Sequence, residues 1–120
     1  MGKTFTLEEA NRSLVFVAPV VKEIQTLWME LMTFKVNPTA EEFERYSRER
    51  TVREKLDRLK VCNGELAQVG CMLRDPIEGI VDFPSVHQEQ EVFLCWRMGE
   101  EQADFWHPVE EGYDAHRVMV

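Results

Sequence analysis

From Ala10 to Leu31 the chain places apolar residues at Ala10, Leu14, Val17, Val21, Ile24, Trp28 and Leu31. The gaps alternate four and three, the spacing of a helix that buries one stripe along its length. No other feature limits the fold as strongly. Thr6 stands where an N-cap belongs, with Glu9 three residues on to complete a capping box. Phe5 and Ala10 occupy the positions of a hydrophobic staple. Pro19 falls inside the stripe, removes one helical hydrogen bond and predicts a kink near Val15 and Phe16. The stripe keeps its phase across the proline, which favours one kinked helix over two separate ones.

Asn37-Pro38 ends that helix. Thr39 and Glu42 form a second capping-box pattern, and a second helix is predicted from about Ala40 to Val69, with Gly70 as its C-terminal glycine. Its stripe is poorer: Val52, Leu56, Leu59, Asn63 and Leu66. Two helices of similar length joined by a short loop predict an antiparallel hairpin. At about 1.5 Å per residue each helix reaches roughly 45 Å. The fifty residues that remain cannot cover a hairpin of that length. The excess apolar stripe therefore predicts a homodimer through the hairpin, with Asn63 as a polar residue able to fix register.

After Gly70 the period changes. "CMLRD", "IVDFP", "EVFLCWR" and "ADFWH" read as short strands. They are joined by Pro76-Ile77-Glu78-Gly79, by a turn from roughly Ser85 to Gln90, and by Met98 to Gln102. Short connections predict an antiparallel meander. The expected fold class is α+β: a long antiparallel helical hairpin (about 6–69) followed by a small antiparallel sheet of three to four strands and a tail (about 71–120), in a single domain. The tail is expected to be a loop lying back on the sheet. Phe93 to Trp96 are apolar on both strand faces, so the sheet needs cover on both sides. The hairpin supplies one cover, and the tail or a second subunit the other.

With these pieces placed, the chain resembles a bacterial family of small proteins known as domain of unknown function 2203. The resemblance rests on "FTLEEAN" (5–11), "GIVDFP" (79–84), "LCWRMGE" (94–100), "WH" (106–107) and Gly112-Tyr113. The family reads Gly-aromatic-x-Gly-Arg-Arg near its end, where this chain has Gly112, Tyr113, Asp114, Ala115, His116 and Arg117. The resemblance supports the fold and implies no reaction.

Chemistry must therefore come from the residues. Asp82 lies mid-strand between Val81 and Phe83, where a carboxylate is costly unless paired or solvated. Arg97 and His107 are the partners considered for it. Asp82, Arg97, Glu100 and His107, with Cys95 nearby, make a polar cluster on the sheet that reads either as structural pairing that fixes strand register or as a ligand-binding site. No catalytic residue is assigned. The leading expectation is a cytoplasmic, self-associating, non-catalytic protein that binds a small ligand or a protein partner on the sheet. The alternative is a small acid/base or metal-dependent enzyme using Glu100 and His107 with a divalent metal; otherwise no cofactor is expected.

Other classes find little support. The three cysteines, Cys62, Cys71 and Cys95, form no Cys-x-x-Cys pair, which suits free thiols in a reducing cytosol. Cys95, in a central strand, reads as a small buried hydrophobe, and His87 as an exposed turn residue. No phosphate-binding glycine loop is present. Net charge is −8, which disfavours nucleic acid and anionic membrane. Seven basic residues crowd between Arg45 and Lys60, but they spread round the helix. The interleaved acids offer i, i+4 pairs Glu44–Arg48, Glu49–Arg53 and Glu54–Arg58, giving a solvated face. The longest apolar run is eight residues, far below the about 20 of a membrane span.

Overall fold

A computed structural model of the chain describes residues 3–34, 41–109 and, as backbone, 118–119. Helix α1 spans Leu7–Thr33 and begins with the expected capping box: the Glu9 N–H donates to Thr6 Oγ1 (3.1 Å) and the Thr6 N–H to Glu9 Oε1 (3.0 Å). The backbone hydrogen bond from Thr6 holds the Glu9 carboxyl below its ordinary range, so the cap is intact at neutral pH and weakens only as pH falls through that lowered value. The helix continues through Pro19, which lies on its exposed side.

Helix α2 spans Glu42–Val69 and stops at Gly70, whose φ of 102° is the left-handed conformation that glycine adopts without a Cβ penalty. Its N-cap is Glu41, with no side-chain cap. Glu42 is thus the first helical residue and not the third of a capping box; Thr39 lies outside the described residues.

The helices pack antiparallel, as the pairs Lys55–Glu30 (2.6 Å) and Arg58–Glu23 (Nη2 to Oε1, 2.9 Å) show. The Arg58 guanidinium holds the Glu23 carboxyl below its usual range. Arg58 therefore serves the other helix, and Glu54 pairs with Arg50 instead of the expected Arg58. On α1 the expected stripe is buried from Ala10 to Ile24, joined by Val20 and Leu27, but Trp28 is exposed and Leu31 only half-buried. On α2 the stripe is turned by one residue. It runs Val52, Lys55, Leu59, Cys62, Leu66 and Val69, while Leu56 and Asn63 face solvent. Lys55 lays its aliphatic stem in the interface and carries its ammonium out to Glu30. Asn63, being exposed, does not sit on the intramolecular seam.

The strands are β1 (Met72–Asp75), β2 (Ile80–His87), β3 (Gln90–Arg97), β4 (Phe105–Pro108) and β5 (Val118–Met119), paired in chain order as an antiparallel meander. The expected four are present, and the tail adds a short fifth on β4; its residues 110–117 lie outside the described residues. The chain from Phe5 to Gln25 is tied to the sheet and its turns. The Phe5 N–H donates to the Pro84 carbonyl (2.7 Å), the Ala103 N–H to Asn11 Oδ1 (2.6 Å), and Gln25 Nε2 to the Ile77 carbonyl (2.7 Å). At Gly79 a Cβ would stand 2.8 Å from that of Met98, so the β1–β2 turn admits glycine alone. Val81, Phe83, Leu94 and Trp96 face the helices and form one core with Val17, Val21, Ile24, Leu59 and Leu66. Trp28 is exposed because α1 runs on past its last tie to the sheet, at Gln25.

The β2–β3 hairpin is tighter and longer than the sequence suggests. Pairing runs to His87↔Gln90, leaving only Gln88 and Glu89 in the turn, with φ of 51° and 65°. That is a type I′ conformation held by two residues with side chains, each of which costs about 1 kcal/mol in the left-handed region. Replacing Gln88 by Asn and Glu89 by Gly is expected to raise unfolding stability by about 1 kcal/mol in urea titrations. An unchanged midpoint would mean the turn carries no such strain.

Candidate functional site

The sheet's second face collects Ile80, Asp82, Phe93, Cys95 and His107, all buried. Register explains which of them meet. Asp82 on β2 is opposite Cys95 on β3, and His107 on β4 is opposite Phe93. Asp82 and His107 therefore flank β3 and join across it, Nε2 to Oδ1 at 3.0 Å, both with no exposed surface. Arg74 reaches in from β1, where the register breaks between Leu73 and Asp75. Its Nε donates to Asp82 Oδ2 (2.5 Å), and its guanidinium lies 4.9 Å over the Phe93 ring. His107 Nδ1 donates to the Pro108 carbonyl (3.0 Å). Both oxygens of Asp82 are thus engaged, which is how a carboxylate is tolerated in a strand centre.

Of the four expected site residues, Asp82 and His107 are brought together. Arg97 and Glu100 belong to the other end of the face. Arg97 is opposite Ile80, four strand residues from Phe93, about 13 Å at 3.3 Å per residue. Its guanidinium meets Glu78 (3.7 Å). The Glu100 carboxylate closes the β3–β4 turn by accepting from the Arg97 N–H (2.8 Å), and its carbonyl accepts from Trp96 Nε1 (2.9 Å). Glu100 and His107 therefore do not form the expected acid/base or metal pair. Arg74 takes the place foreseen for Arg97 beside Asp82. Only its position in "CMLRD", two residues after Met72, hinted at that, and the irregular β1 register hid it.

Asp82, Cys95 and His107 also contain the residue types of a nucleophilic triad, but the hydrogen bonds are wrong for one. In a triad one imidazole nitrogen faces the acid and the other faces the nucleophile. Here the second nitrogen faces the Pro108 carbonyl, so His107 has none to offer the Cys95 thiol. His87, expected in a turn, instead ends β2 half-buried with its ring 4.8 Å from that of Trp106. Beside it a cleft of about 370 Å³ opens on the helix-side face, between the N-terminal residues around Phe5 and the ends of β2 and β4.

All three cysteines are buried and none is joined in a disulfide. Burial pushes the Cys71 thiol up to about 11 and raises that of Cys62. At pH 8 the native protein is expected to react slowly with a thiol reagent, and all three thiols to react at once after unfolding in guanidinium. Rapid native labelling of Cys71 would contradict this packing.

Neither a curated protein nor a solved structure matches this chain. The family model described as "Uncharacterized conserved protein (DUF2203)" matches residues 3–119. With nearly its whole length matched, the chain belongs to the DUF2203 family of uncharacterised conserved proteins.

Proposed function

We propose that this protein is a non-catalytic, self-associating protein of the cytoplasm, in which two hairpins pair into a four-helix bundle. One observation carries the reading. Helix α2 has 28 residues, yet its buried residues are only Leu59, Cys62 and Leu66, and every residue from Glu41 to Ser47 is exposed. The ion pairs set α2 residue 55 level with α1 residue 30, and 58 with 23. Residues before about 50 in α2 therefore extend beyond Thr33, the end of α1. A helix draws most of its stability from packing an apolar face. On this distal half Trp28, Met29 and Met32 of α1 and Phe43, Tyr46 and Leu56 of α2 stand exposed. A second copy supplies the missing cover.

The burial of Asp82 and His107 supports the non-catalytic part, since no organic substrate reaches them. Three cysteines outside any disulfide suit a reducing compartment. Among the described residues no helix is long and apolar enough to cross a membrane, and a net charge of −8 disfavours nucleic acid as partner. A small ligand or protein partner on the sheet would meet the end formed by Glu78, Arg97 and Glu100. The test is light scattering on Trp28→Glu with Met32→Glu and Leu56→Glu. These positions are chosen over Val21 and Ile24, which are buried within the single chain. Wild type is expected at twice the 14.1 kDa chain mass and the variant at the chain mass, with helicity retained up to α1's end. A wild type at the single-chain mass would overturn the proposal.

A further inference from the structure

The buried contact between His107 and Asp82 poses a chemical question. The Pro108 carbonyl only accepts, so His107 Nδ1 carries a proton. In a neutral ring that leaves Nε2 as a lone pair, aimed at a carboxylate oxygen 3.0 Å away. Two acceptors at that distance, with no water contact, need a cation between them: a proton or a metal ion. A third donor beside them favours the metal ion. Cys95 Sγ, Asp82 oxygen and His107 nitrogen all lie within 4.8 Å of one another, from three adjacent strands and fully buried.

We propose that Asp82 Oδ1, Cys95 Sγ and His107 Nε2 form a three-donor site for a divalent transition metal of the zinc class. Thiolate, imidazole and carboxylate are the donors such an ion takes, with about 2.0–2.3 Å bonds in a tetrahedron whose fourth position a water would complete. Those bonds put the donor atoms roughly 3.3–3.7 Å apart. The Asp82–His107 pair has to open by a few tenths of an ångström, and the donor atoms, within 4.8 Å of one another, have to close to that spacing at Cys95. The second shell is already in place. The Nδ1–H bond to Pro108 fixes the tautomer that frees Nε2, and Arg74 holds Oδ2 so that Oδ1 points at the ion. Charge balances. Metal entry displaces the proton between His107 and Asp82 and the thiol proton of Cys95, releasing two protons to solvent. Carboxylate, thiolate, guanidinium and a +2 ion carry the same net charge as carboxylate, imidazolium, guanidinium and thiol. Because the donors are buried, the ion would be a structural pin joining β2, β3 and β4. The site is independent of the self-association proposed above and uses neither Arg97 nor Glu100.

The test uses the full chain, expressed with added Zn²⁺ and purified without chelator, then exchanged with Co²⁺. One zinc per chain is expected, and the cobalt form should show thiolate-to-cobalt charge-transfer absorption. Cys95→Ala, which removes only the sulfur, should lose that absorption and the stoichiometric metal, while His87→Ala retains both. Folded wild type with only traces of metal would overturn the proposal. So would a folded Cys95→Ala protein that keeps its metal. If Cys95→Ala does not fold, the wild-type cobalt spectrum decides: bound cobalt without a thiolate band rejects the site.

Discussion

Replacing Phe83 by alanine is expected to cost about 3–5 kcal/mol, the range for a fully buried phenylalanine that leaves a cavity. Phe83 has no exposed surface and meets the Phe5 ring edge-on, centroids 5.2 Å apart. Phe5 is in turn held at both of its backbone groups: its N–H donates to the Pro84 carbonyl and its carbonyl accepts from Ser85 Oγ (2.5 Å). The cavity would therefore open where the chain leading into α1 docks on the sheet, a place that cannot close without breaking those bonds. With a stability near the usual 5–15 kcal/mol, a loss of this size would lower the melting temperature by about 10–20 °C. Ile77→Ala, at an exposed turn position, serves as the control and is expected within about 0.5 kcal/mol of wild type. Equal small effects from both would contradict the assignment of Phe83 to the centre of the core.

His107→Ala is expected to cost about 3 kcal/mol, for a different reason. It strands the Asp82 carboxylate in a buried strand with Arg74 as its remaining described partner. Asp82→Ala strands the imidazole in the same way. Removing one member of a buried pair costs more than removing both, because the lone survivor keeps its desolvation cost. The double variant should therefore be more stable than the sum of the two losses predicts, by about 1–3 kcal/mol. Strict additivity in urea unfolding would mean that the two groups do not interact, and would remove the basis for any centre on this face.

Much of this fold was legible because it depends on local period. The alternating gaps of α1, the Thr6–Glu9 box, Gly70 and the short strands after it each act through neighbours a few residues away. What depends on distance along the chain leaves no such mark. Periodicity anchored on Leu56 puts Asn63 on the α2 stripe, whereas packing against α1 selects Lys55 and Cys62. The β2–β3 turn was set too wide because neither Gln88 nor Glu89 announces a left-handed turn. In the polar cluster, Asp82 was legible from its apolar neighbours and His107 from the strand pattern. Arg97 and Glu100 group with them in the sequence because antiparallel register cannot be read from one strand at a time. Register puts His107 opposite Phe93 and Arg97 opposite Ile80, and so divides the group in two. Arg74 entered through an irregularity in β1 that leaves no mark on composition or period.

Hydrogen exchange of the α2 amides between residues 42 and 58, followed across a dilution series, tests most directly whether a second copy completes the distal half of the hairpin. These residues include none that is fully buried within the chain. If two hairpins pair, their protection should be strong at high protein concentration and fall on dilution in step with the loss of the dimer mass. The amides around Leu59, Cys62 and Leu66 should stay protected throughout, since those side chains are buried within a single chain. Protection of residues 42–58 that is the same at every concentration, in a protein of 14.1 kDa, would contradict the account.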